Sequence, residues 1–147
     1  MKQMPAYGFT LIELLLSIAI IGTLASIMLP NLLTAQKRSY DTGARMCAKS
    51  LQTAQAISMV DYKTYVNLSS NATLLSDFLL NLDKSCRNPN IFVKDRAASA
   101  TLASTYTFDV WDIRGSAVIT ATPTLVSANV PGSTPFSNTG AGGINFP

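Results

Sequence analysis

The sequence predicts an α+β protein in which a long N-terminal α-helix, one half suited to a membrane and the other amphipathic, packs against a small antiparallel β-sheet. Three observations carry this expectation. An apolar run opens beside Gly8 and continues to Leu33. Beyond Pro30 the apolar residues stop being continuous and become periodic. The C-terminal half holds short alternating segments separated by turn-forming residues.

The first helical half, residues 9–33, exceeds the ~20 residues that a bilayer-spanning helix needs. In the second half Tyr40, Ala44, Cys47, Leu51 and Ala54 recur at steps of four and three, and Ile57 and Val60 are expected to carry the stripe on. Lys37, Arg38, Asp41, Arg45, Lys49, Gln52 and Gln55 fill the other side. That is the pattern of one buried helical face. A continuous helix from Phe9 to about Tyr62 would be roughly 80 Å long at 1.5 Å per residue. Gly22 and Pro30 are its weak points, because proline removes a backbone hydrogen bond and clashes one turn back. A kink between Ser26 and Pro30 is expected, although membrane helices also simply tolerate both residue types.

Residues 63–90 read as a loop enclosing a short helix, with Ser69, Ser70 and Asn71 as capping side chains ahead of Ala72 to Leu80. Ile91-Phe92-Val93 is a short strand. Tyr106 to Ile113 alternates so that Tyr106, Phe108 and Val110 share one face and Trp111 takes the other. Arg114-Gly115-Ser116 supplies a turn, and the chain returns as a strand from Ser116 until Pro123. From Val130 onward Pro, Gly, Ser, Asn and Thr dominate, with Phe136, Ile144 and Phe146 as isolated apolar residues. Two readings stand for this last part: a solvated tail, or a segment ordered against the sheet or a neighbouring molecule.

Glu13 sits inside the apolar run, where an acidic side chain costs roughly 2.5–3.5 kcal/mol on insertion scales. Residues 1–8 carry Lys2 as their sole charge and have no apolar core, so they are not an ordinary secretory signal. Gly8-Phe9-Thr10-Leu11-Ile12-Glu13-Leu14, followed by Pro30-Asn31-Leu32, resembles the class III leader and N-terminal helix of type IV pilins and the related pseudopilins. The resemblance covers about the first forty residues. It implies that a membrane prepilin peptidase removes residues 1–8 by cutting after Gly8 and methylates the new N-terminus at Phe9. The domains would then be a leader (1–8), a membrane and filament-core helix (9–33) and a globular part (34–147). The resemblance further implies that Glu13 of one subunit meets the Phe9 amine of its neighbour, setting the stagger of a filament of identical subunits. It also implies that the helix loses order locally between Gly22 and Pro30 inside the filament. Within one chain, a cut would place the Phe9 amine about one helical turn from Glu13, a pairing that serves register more than net stability. Alternatively Glu13 snorkels to the interface.

Charge and cysteine content bound the environment. The 147-residue chain has a formal net charge of +3, and without Lys2 ten basic side chains face eight acidic ones, so its pI near 9 overstates its basicity. Lys2 favours a cytoplasmic leader and an outward domain, while Lys37 and Arg38 just past the span oppose that orientation. Cys47 and Cys86 are the only cysteines, and an even number in an exported domain predicts one disulfide, two buried thiols being the other reading. The family often closes a disulfide near its C-terminus, and this chain departs from that pattern.

The residues for catalysis are missing. There is no His and no phosphate-binding glycine loop, so nucleophilic, metal-hydrolytic and nucleotide chemistry lack their usual parts, and the expectation is a non-enzyme without cofactor or metal. Asp109 and Asp112 on an alternating strand point opposite ways and do not make a calcium site. Asn67 and Asn71 open N-glycosylation sequons. The resemblance leaves three functions open. The first is a structural type IV pilus subunit, held in lipid of the inner membrane before an assembly machinery moves it to the cell surface for motility, adhesion or DNA uptake. The others are a secretion pseudopilin and a minor pilin acting as a DNA receptor. For the last, Arg87, Lys94, Arg96 and Arg114 would converge near Tyr106 and Trp111 to contact phosphates and stack bases.

Overall fold

A computed structural model of the chain describes residues 8–68, 82–96, 101–129 and 143–146. The element order is a helix, α1 (Leu11–Tyr62), a single 3₁₀ turn (Lys84–Arg87), and the strands β1 (Ile91–Asp95), β2 (Phe108–Asp112), β3 (Val118–Ala121) and β4 (Val126–Asn129). Contacts divide the chain into two units, Met1–Ala35 and Gln36–Pro147, with α1 beginning in the first and ending in the second.

In the first unit the helical assignment is unbroken and includes both Gly22 and Pro30. None of its most apolar stretch is buried by the rest of the molecule. Leu11, Ile12, Leu15, Ile18, Ile21 and Leu24 are all more than half exposed, on every side of the helix. A helix that is apolar all round is made for an apolar surrounding.

The second unit is built on one face of α1. Ala44, Cys47, Ala48 and Leu51 are fully buried against the sheet, as the periodicity predicts. The stripe then departs from the expected course. Gln55 and Ser58 are buried, whereas Ile57 and Val60 are 53% and 70% exposed. Helical geometry explains this, since at about 100° per residue Val60 lies opposite Leu51 and Ile57 is about 120° from it. The face passes instead through Gln55, whose Nε2 donates to the Val66 carbonyl (2.6 Å) and whose Oε1 accepts from the Val66 N–H (2.8 Å). Ser58 Oγ donates to the Thr64 carbonyl at 2.9 Å. The helix thus ends by binding the backbone of the chain that follows it, with Lys63 in the left-handed region (φ 59°) as the first residue past Tyr62.

The sheet is a four-stranded antiparallel meander in the order β1-β2-β3-β4. Its register aligns Val93, Val110 and Ile119 in one row and Phe108 with Ala121 in the next, all facing the helix stripe. Tyr106 stacks on Phe108 at 5.5 Å between ring centres and meets Tyr65 edge-on at 4.7 Å. Trp111 and Val118 pack with Phe92 in a separate cluster, which confirms the expected division of faces along β2. β4 was not expected from the sequence. Its alternation of Val126 and Ala128 with Ser127 and Asn129, three residues past Pro123, is the signal that marks it.

Of the two readings for the C-terminal part, order against the sheet holds for residues 143–146. Val93 and Ile144 exchange N–H···O bonds of 2.8 and 2.7 Å, and Asn145 Nδ2 donates to the Asn88 and Ile91 carbonyls. Phe146 is 1% exposed and belongs to the main core. The segment covers the outer edge of β1, which would otherwise present unpaired backbone groups. Phe136 and the short helix expected over Ala72 to Leu80 lie outside the described residues.

Candidate functional site

The start of α1 is built from a short reciprocal cap. Thr10 precedes the helix, and both its N–H (2.9 Å) and its Oγ1 hydroxyl (2.8 Å) donate to Glu13 Oε2, while the Glu13 N–H donates back to Thr10 Oγ1 at 3.3 Å. This is a capping box, which satisfies N-terminal N–H groups that the helix ladder leaves open. Glu13 therefore has a local partner in Thr10, besides the Phe9 amine that the resemblance implies. The Thr-x-x-Glu spacing was legible in the chain and marks Thr10 as a residue of this site. Both Thr10 donors fall on Oε2, and Oε1 accepts from no group among the described residues. The carboxylate is thus held in place with one oxygen open to a further donor.

Gly8 and Phe9 come immediately before this cap and are exposed, Phe9 to 79%. A side chain built at Gly8 would meet nothing within 4 Å, and the same holds at Gly22. Among the described residues nothing around either position calls for glycine.

Cys47 and Cys86 are joined in a disulfide with a Cα–Cα distance of 4.8 Å, so the free-thiol reading falls away. Both are fully buried, and the bridge fastens α1 to the 3₁₀ turn ahead of β1. Asp83 begins that turn by accepting from the Ser85 N–H at 2.8 Å, a bond that holds its carboxyl below the usual carboxylate range.

Asp41, expected on the solvent side, points inward. Its Oδ1 accepts from the Ser116 and Ala117 N–H groups (2.8 and 3.0 Å) and its Oδ2 from the Ser116 hydroxyl (2.6 Å). A Cβ at Gly115 would collide with Asp41 Oδ1, so this turn needs glycine for the close approach. Next to it, the Arg114 guanidinium lies 4.2 Å from the centre of the Tyr40 ring and forms a bidentate pair with Asp112. The Asp112 partner raises the already high Arg114 pKa further.

Of the cations expected to converge, Arg96 and Arg114 stand apart. Asp95 is paired with Phe108 and Ile91 with Asp112, so Arg96 and Arg114 lie beyond opposite ends of the β1–β2 pair. Five residues at ~3.3 Å separate them by roughly 17 Å along the strands. Arg96 reaches Asp109 at 3.6 Å and Arg114 is spent on Asp112. Tyr106 and Trp111 are 2% and 3% exposed and offer no ring to stack a base on. Asp109 and Asp112 serve these ion pairs, and among the described residues no group of three or more acidic, His or Cys side chains could hold a metal. Asn67 is half-buried beside Leu68, whose N–H donates to Asp95 Oδ2. Asn71 lies outside the described residues.

Comparison with known proteins agrees with the resemblance at the N-terminus. Residues 4–29 match the family described as the prokaryotic N-terminal methylation motif. The chain is 44% identical over 71 residues to the type IV wide pilus major component PilA4 of Thermus thermophilus, a match covering 48% of this chain and 53% of that protein. It is 52% identical over 48 residues to the type IV major pilin protein PilA of Myxococcus xanthus, covering 33% of this chain and 22% of the relative. The similarity thus spans about half the length of the first relative and less of the second.

Proposed function

From the premise that this chain has the amino-terminal part of a type IV pilin, we propose that it is a structural pilus subunit, cleaved after Gly8 and methylated at Phe9. It polymerises with identical copies through residues 9–33. The single observation that carries this reading is the pairing of an unburied apolar helical stretch with an exposed junction and a fixed carboxylate at its start. None of the apolar window of this helix is buried, so lipid and then neighbouring helices supply its surroundings. Cleavage creates an amine at Phe9, and Glu13 Oε1 is the acceptor left open for the amine of an adjacent subunit. The capping box fixes where that acceptor stands, which suits a device that sets axial stagger.

Gly8 fits the same reading. The fold does not require a glycine there, so its use is assigned to a prepilin peptidase that takes an extended, unhindered backbone before the cut. Gly22 and Pro30 are assigned to local loss of helical order on packing. The precursor is held in the inner membrane and an assembly machinery moves it to the cell surface, where motility, adhesion or DNA uptake follows. The pilin family is structural and non-enzymatic, and the architecture suits that role.

The test is the intact mass and N-terminal sequence of the protein in sheared surface filaments, with a Glu13→Ala variant beside it. A methylated Phe9 start in abundant filaments, with filaments lost in the variant, is the expected result. A processed protein that never leaves the membrane would favour a pseudopilin, and an uncut Gly8–Phe9 bond would overturn the proposal.

A further inference from the structure

Four cations, Lys37, Arg38, Arg45 and Lys49, stand exposed on α1 just after the apolar segment ends at Leu33. No ion pair joins any of them to an acid among the described residues. The one acidic side chain between them, Asp41, is turned inward and committed to Ser116 and Ala117. On this stretch of helix the one carboxylate is thus engaged by the turn at Ser116, and the charges left without such a partner are positive. Arg38, Arg45 and Lys49 fall within about 40° of one another around the helix, with Lys37 on the adjoining side.

Position along the helix decides what these charges meet. At 1.5 Å per residue, Lys37 and Arg38 follow Leu33 by about 6 and 8 Å, Arg45 by about 18 Å and Lys49 by about 24 Å. The headgroup layer outside the hydrocarbon core is roughly 5–8 Å deep on each side, and charges are screened beyond about 10 Å at moderate salt. We propose that Lys37 and Arg38 form a basic collar that binds the phosphates of anionic phospholipid headgroups around the membrane-held subunit. This rests on reading residues 9–33 as a membrane span. Arg38 brings a planar fork suited to phosphate oxygens, and Lys37 a point charge on a flexible stem. Lys49 shares the face of Arg38 but stands too far from the headgroups to contribute. A nucleic acid is the poorer occupant, because Tyr106 and Trp111 are buried and offer no ring for base stacking.

Lipid selectivity tests the collar. The full-length chain is reconstituted in phosphatidylcholine vesicles carrying a trace of spin-labelled phosphatidylglycerol or, in parallel, spin-labelled phosphatidylcholine, and the motionally restricted lipid fraction is read by electron paramagnetic resonance. At low salt, phosphatidylglycerol is expected to be retained roughly three- to fivefold more strongly than phosphatidylcholine. A Lys37→Gln/Arg38→Gln variant brings the ratio close to one, high salt does the same, and Lys49→Gln leaves it unchanged. Equal retention of the two lipids by the unaltered chain, with a restricted fraction present, would overturn the collar while the span stands. An equal loss in Lys49→Gln would overturn its placement. No restricted fraction with either lipid would remove the span, and the collar with it.

Discussion

Asp41 shows how much one side chain changes when its partner is distant in sequence. Three hydrogen bonds from a turn some seventy-five residues away end on its carboxylate, two of them from backbone N–H groups that no other side chain replaces. Hydrogen bonds to charged groups contribute about 1.5–3 kcal/mol. Asp41→Ala is therefore expected to lower the stability of the second unit by about 2 kcal/mol, read as a shift in the urea midpoint of the full chain in detergent. Gly115→Ala should destabilise by a comparable amount, because its methyl group enters the space of Asp41 Oδ1. If both variants melt like the parent, the contact does not hold the turn. Tyr106 supplies a pH dependence. Burial, first, and then neighbouring Tyr65 raise its pKa from 10.0 to about 12. The unfolded chain loses this proton before the folded one does, so the contribution is fully present below pH 10.0 and is lost as pH rises toward about 12. The loss amounts to roughly 2 kcal/mol. Alkaline unfolding curves check it, and Tyr106→Phe should flatten the slope in that window.

Among the elements, α1 depends on fasteners as well as on its apolar face. The Cys47–Cys86 bridge closes a loop with a sequence separation of 39. In the chain-entropy model such a loop stabilises by about 4 kcal/mol, so paired Cys47→Ser and Cys86→Ser substitutions should bring a loss of that order in chemical denaturation. The segment around Ile144 fastens the sheet in a different way, by covering the edge of β1 and burying Phe146. Phe146→Ala is expected to cost about 3–5 kcal/mol and to speed hydrogen exchange at the Val93 N–H, which bonds to Ile144. Unchanged exchange at Val93 would mean that the strand pairing survives without its aromatic anchor. Nothing local in the sequence decides this fastening, since the Gly- and Asn-rich context of Ile144 and Phe146 suits a solvated tail as well as a segment ordered against the sheet.

At the scale of the whole molecule, one chain carries two surfaces with opposite needs. Its first unit is apolar on every side and its second has its own core, so the full chain is expected to form large assemblies in plain buffer and monomers in detergent micelles. Sedimentation velocity with and without detergent checks this, and a monomer in plain buffer would mean that the apolar helix is covered in some other way. The α+β class, the apolar helix, the start of the second helical half and the resemblance at Gly8 to Glu13 are legible along the chain, because they rest on composition and spacing within one stretch. The chain also holds the Thr10–Glu13 cap in plain spacing. Packing across the fold is what turns Asp41 to a distant turn, buries Gln55, leaves Ile57 and Val60 exposed and sets Arg96 and Arg114 apart. Each of those outcomes depends on a backbone group or a strand register brought from elsewhere in the chain. A polar side chain is buried when the fold delivers it a partner, and periodicity along the helix carries no record of that partner.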